Sequence, residues 1–152
     1  MMRFVFVACA LALSACTPEE EEEAAEPAPV ASNELPAPTP EDVAVRINAS
    51  QNGQAVDVAV NQRFAIELVG VPTAGYVWTP ATLPDFVQRA GEASGPTIAE
   101  QNEPGYAGGN HWEVLMFVAT APGTGEVVLE QRRPWETNEP ASDTFRVTIV
   151  AR

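Results

Sequence analysis

Residues 63–69 read RFAIELV, and the way they alternate decides the fold. Phe64, Ile66 and Leu68 fall on one side of an extended chain and Arg63 and Glu67 on the other, because successive side chains of a strand point to opposite faces. The same period of two recurs at residues 126–132, EVVLEQR, with Val127 and Leu129 inward and Glu126, Val128 and Glu130 outward. Residues 144–150, TFRVTIV, repeat it with Phe145, Val147 and Ile149 inward. Each of these strands keeps one wet face. Residues 111–119, HWEVLMFVA, are apolar on both faces from Val114 to Val118, as suits a central strand packed on two sides. Shorter runs at residues 43–47, 55–60 and 76–79 bring the set to about seven strands, and no window holds a helical period. Such a series over residues 43–152, punctuated by Pro and Gly, predicts an all-β fold, an immunoglobulin-like antiparallel β-sandwich, with a small barrel as the alternative.

Upstream of residue 43 the composition changes. Residues 1–15 carry one early positive charge at Arg3 and an apolar run from Phe4 to Leu13, shorter than the roughly 20 residues a membrane-spanning helix needs. They read as an export signal. Its end, Leu13-Ser14-Ala15-Cys16, resembles the bacterial lipobox, which implies lipid attachment at Cys16; an ordinary secretory signal cut near Ala15 is the alternative. Residues 16–42 combine a glutamate run with six prolines and almost no large apolar residues, so this stretch reads as a disordered acidic tether. It would reach from roughly 30 Å as coil to about 80 Å as polyproline helix. Residues 43–152 form the folded domain.

The charge and cysteine inventory narrows the chemistry. The chain holds 21 acids and eight arginines with no lysine, and its net charge is −13. Nine of the acids lie between Thr17 and Asp42, so the acidity belongs mostly to the tether. No basic cluster is present to meet phosphates, and nucleic-acid binding is not expected. Beyond Cys16 there is no cysteine, which excludes a Cys-His nucleophile, a disulfide and cysteine-ligated metal in the domain. The domain's one histidine, His111, follows a glycine loop and reads as a surface residue, and no Gly-x-Ser-x-Gly elbow or phosphate-binding loop occurs. The expectation is a protein that is not an enzyme, with no catalytic residues, no cofactor and no metal.

Three connections stand out instead. Residues 69–78, VGVPTAGYVW, place Pro72, Thr73, Ala74 and Gly75 in a stiff, small-tipped turn, with Tyr76 and Trp78 beginning the next strand as core residues. Residues 103–112, EPGYAGGNHW, place Gly105, Tyr106, Ala107, Gly108 and Gly109 where a backbone can enter a space too narrow for side chains. Residues 132–140, RRPWETNEP, present Arg133, Pro134 and Trp135. An aromatic there either folds back as a lid on the core or serves as an interface anchor.

In order and spacing the three connections resemble the chagasin family of cysteine-peptidase inhibitors over nearly the whole of residues 43–152. That family has Asn-Pro-Thr-Thr-Gly-Tyr-x-Trp in its first loop, Gly-x-Gly-Gly in its second and Arg-Pro-Trp in its third. Here the matching stretches are Val71 to Trp78, Tyr106 to Gly109 and Arg133 to Trp135. Val71 replaces the Asn, Ala74 the second Thr and Tyr106 the first Gly, although Gly105 lies one residue earlier. The resemblance implies a monomeric, reversible inhibitor that occludes the cleft of a papain-like cysteine peptidase with three loops. Pro72, Thr73, Ala74 and Gly75 would then press on one side, Tyr106, Ala107, Gly108 and Gly109 enter the middle, and Arg133, Pro134 and Trp135 pack on the other side. With the lipid at Cys16, the expected location is the bacterial cell envelope, on the periplasmic face or the outer membrane. The alternative is an envelope-anchored binding or assembly module of the same fold without peptidase inhibition.

Overall fold

The computed structural model describes residues 33–152; the expected export signal, Cys16 and the expected tether as far as residue 32 lie outside them. Eight strands lie among the described residues, β1 Val43–Asn48, β2 Ala55–Val58, β3 Arg63–Gly70, β4 Val77–Thr82, β5 Val87–Pro96, β6 His111–Ala119, β7 Gly123–Arg132 and β8 Asp143–Ala151. They form two four-stranded sheets, ordered β1-β3-β6-β5 and β2-β8-β7-β4. The sheets bury Phe64, Ile66 and Leu68 of β3 with Leu115 and Phe117 of β6 on one side, and Val127 and Leu129 of β7 with Phe145, Val147 and Ile149 of β8 on the other. Phe64 and Phe117 stack with ring centroids 5.6 Å apart. Burying each such side chain stabilises the fold by about 1.5–3 kcal/mol.

The inward residues read from RFAIELV, EVVLEQR and TFRVTIV are all buried. Val128, expected outside, is also buried, between Thr82 of β4 and Arg146 of β8 in the sheet register. The sandwich has one strand more than the expected seven, and the additional one is β5. Only its first residue, Val87, is buried, and Gly91 sits at an irregular register with φ of 133°. An edge strand paired on one side only needs no alternating apolar face, so its sequence carries no period. Two edge pairs, β1 with β3 and β2 with β8, run parallel within the otherwise antiparallel sandwich. The chain crosses to the other sheet for β2 before returning as β3, so both strands of the β1–β3 pair point the same way without a helical crossover.

The folded part begins before the expected boundary at residue 43. Residues 33–42 lie on the outer face of the first sheet and are part of the folded unit. Ala37 packs with Val43, Ala65, Val114 and Met116, Pro38 lies against Gly95, and Thr39 Oγ1 donates to Glu67. This strap accounts for the two apolar faces of β6. The outward side chains Val114 and Met116 have a cover that a search for strands does not reveal, because the covering residues are proline-rich and lack a period.

Candidate functional site

Strand register gathers the three connections at one pole of the sandwich. Gly70, the last residue of β3, pairs with His111, the first of β6, and His111 pairs on its other side with Pro96, the last of β5. In the second sheet Val77, the first residue of β4, pairs with Arg132, the last of β7. Residues 71–76 cross from one sheet to the other at this pole, residues 97–110 join β5 to β6 there, and residues 133–142 join β7 to β8.

The first loop is a 3-10 turn, Pro72–Ala74, closed by Gly75 in the left-handed conformation at φ 86°. Proline fixes φ at the start of the turn, and glycine takes the positive φ at its end without strain. Val71 supplies no side-chain cap. Backbone bonds close the loop instead, with Val71 N–H donating to Tyr76 O at 3.1 Å and Tyr76 N–H to Val71 O at 3.2 Å. The third loop completes the brace. Arg133 Nε–H donates to Ala74 O at 2.9 Å, its guanidinium stacks 4.5 Å from the centre of the Tyr76 ring, and Glu136 pairs with it at 3.0 Å. The hydrogen bond with Glu136 raises the Arg133 pKa above its ordinary value, and the guanidinium carries the positive charge that any arginine keeps at neutral pH.

Trp135 rests its ring on Gly75, where a Cβ would lie 2.2 Å from Cη2, yet 68 % of the residue is exposed. It is therefore not a lid on the core. Pro72 to Gly75 and Arg133 to Trp135 form one braced unit, and the arginine serves inside it as a staple. Trp78, read as core, is buried, and its Nε1–H donates to Val69 O at 2.9 Å.

The second loop holds its glycines in conformations other residues resist, with φ of 90° at Gly105, 83° at Gly108 and 92° at Gly109. Tyr106 and Ala107 are exposed, and the Tyr106 hydroxyl lies against Gly109. The stems of the loop are tied by Gln101, whose Oε1 accepts from Thr97 N–H at 2.6 Å and Ile98 N–H at 3.1 Å while its Nε2 donates to Asn110 O at 2.7 Å. His111, half-buried at the foot of the loop, has Nδ1 3.3 Å from Gly109 O.

Sequence reasoning missed Gln101 and Glu113. Glu113 reaches across from β6, and its Oε2 accepts from Trp78 N–H at 2.8 Å, tying the start of β4 to the first sheet beneath the first loop. Its Oε1 is buried with no hydrogen-bond partner among the described residues and occupies the space that a Cβ on Gly70 would need. Burial raises the Glu113 pKa above the usual 4.5, the charge of Glu92 adds to this, and the Trp78 N–H and His111 oppose it. A single glutamate in a strand gives no local sign that it will bridge two sheets.

The pole offers an exposed indole, a short rigid turn and a glycine tip with bare backbone groups. No group of three His, Cys, Asp or Glu able to hold a metal lies among the described residues. The chain is similar to Amoebiasin-1 of Entamoeba histolytica, with 28% identity over 104 residues, which cover 68% of this chain and 95% of that protein. Its fold is similar to the crystal structure of the cysteine protease inhibitor EhICP2 from Entamoeba histolytica, with a TM-score of 0.60 and 19% identity over 71% of this chain and 96% of the other. It is also similar to the solution structure of Amebosin, with a TM-score of 0.50 and 25% identity over 71% of this chain and 97% of the other. Residues 57–149 match the chagasin family of peptidase inhibitors, I42, across more than half of the sequence, and the chain belongs to that family, whose members are inhibitors and not enzymes.

Proposed function

We propose that this chain is a reversible inhibitor of papain-like cysteine peptidases that blocks the active-site cleft with the three loops of one pole. The observation that carries this reading is the shared pole, with Trp135 exposed and the second loop ending in glycines at positive φ. Ala107, Gly108 and Gly109 enter the cleft beside the catalytic cysteine, where missing side chains permit close approach and no cleavable geometry is offered. Pro72 to Gly75 press on one wall, and Trp135 packs on the other. Inhibition is by occlusion. An interface of roughly 800 Å² on each partner fits such a wedge. Its affinity depends on rigidity, because ordering a flexible side chain on binding costs about 0.5–1.5 kcal/mol.

Export and lipid attachment at Cys16 would hold this inhibitor in the bacterial envelope, with the acidic residues between Cys16 and Asn33 as its spacer. Titration of residues 33–152 against papain tests the inhibition, and a folded domain without effect at micromolar concentration refutes it in favour of a binding module that retains only the fold. Incorporation of a palmitate analogue into the natural chain, and its loss in Cys16→Ala, tests the anchor.

A further inference from the structure

The second loop joins β5 to β6 over residues 97–110, a long connection whose only regular element is the turn Ala99–Asn102. A loop of this kind is expected to sample many conformations unless it is tied down. The strap ties it. Leu35 N–H donates to Thr97 O at 2.8 Å and Ala99 N–H donates to Asn33 O at 2.9 Å, closing an antiparallel bridge about Glu34 and Ile98. The Ala99 N–H opens the turn and has no acceptor within it, so the strap satisfies a donor that helix geometry leaves over. Leu35 O in turn accepts from Trp112 Nε1–H at 2.7 Å, and Trp112 lies on β6 just after the loop. Leu35 thus grips both stems through its own peptide groups. Within the turn, Gln101 passes the restraint on to Asn110 O, next to Gly109.

We infer that residues 33–35, the first part of the strap, position the second loop, setting the glycine tip in its binding conformation through their own backbone groups, which bond Thr97 O, Ala99 N–H and the Trp112 indole N–H. This rests on the three-loop reading of function, but the ordering it asserts can be measured separately. Leu35→Pro removes the N–H that reaches Thr97 O, whereas Leu35→Ala keeps it. Trp112→Phe keeps an aromatic ring and removes the donor to Leu35 O.

The experiment compares these variants in the full chain by amide hydrogen exchange and by inhibition of papain. Leu35→Pro is expected to speed exchange across residues 99–110 and to weaken inhibition by about tenfold each, with Trp112→Phe in the same direction and Leu35→Ala within about twofold of the natural chain. Natural exchange rates in the loop of Leu35→Pro would overturn the proposal, as would equal losses in Leu35→Pro and Leu35→Ala. If Leu35→Pro does not fold, unchanged loop exchange in Trp112→Phe overturns it and faster exchange supports it. If the natural chain itself leaves papain active, the inhibitory reading fails, while the exchange rates still decide whether the strap orders the loop.

Discussion

Trp135 is 68 % exposed although its ring rests on Gly75. Keeping a large indole in water costs free energy that a partner surface recovers, which is how aromatic anchors behave at binding hot spots. Trp135→Ala is therefore expected to weaken peptidase inhibition by about 2 kcal/mol or more while leaving the melting temperature nearly unchanged, as an inhibition titration and a thermal melt on one sample will show. A fall in melting temperature with inhibition intact would return Trp135 to the core. Glu113 gives a prediction of pH dependence. Burial holds its pKa above 4.5, so the folded chain binds this proton more tightly than the unfolded chain does. The stabilisation is present when the group is protonated and is lost as pH rises from 4.5 through the raised value. Glu113→Gln, a neutral isostere, is expected to gain melting temperature relative to the natural chain at neutral pH, with the gain shrinking as pH approaches 4.5. A larger gain at the acidic end would mean that the Trp78 hydrogen bond to the charged carboxylate outweighs its burial.

Among the strands, β6 shows best what sequence reveals and what it hides. Its two apolar faces are legible in HWEVLMFVA as the mark of a strand packed on both sides, but nothing in that stretch says what covers the outer one. That cover is the strap, read from its prolines and acids as part of a disordered tether. Composition describes how little such a segment can bury by itself, whereas here it adds a few contacts to a surface already formed. Met116 makes the test. It is 4 % exposed on the outer face, and Arg63 Nη2–H donates to its sulfur at 2.9 Å. Met116→Ala is expected to cost about 2 kcal/mol or more in urea denaturation, the magnitude of a core truncation. A cost typical of a solvent-facing position would mean that the strap does not cover that face. β5 was illegible for the opposite reason, since an edge strand with one buried residue leaves no period to read.

At the scale of the whole molecule, the two ends of the described chain lie at opposite poles. Asn33 meets the turn of the second loop at the pole of the three loops, whereas Arg152 follows β8 at the far pole, its N–H donating to Val58 O at 3.1 Å. A compact protein fused directly before Asn33 should therefore impede inhibition of papain, and the same protein fused after Arg152 should leave it unchanged; equal inhibition by both fusions would show that the binding surface lies elsewhere. The sequence by itself determined the sandwich, the inward faces of its strongest strands and the three unusual connections, because alternation, proline and glycine act over a few residues and are written locally. Only the tertiary structure decided that the connections share a pole, that Arg133 braces the first loop, that Glu113 joins the sheets and that the strap holds the second loop. Each of these joins residues far apart in the chain, and pairings of that kind are set by the register of whole strands, which no local stretch of sequence specifies.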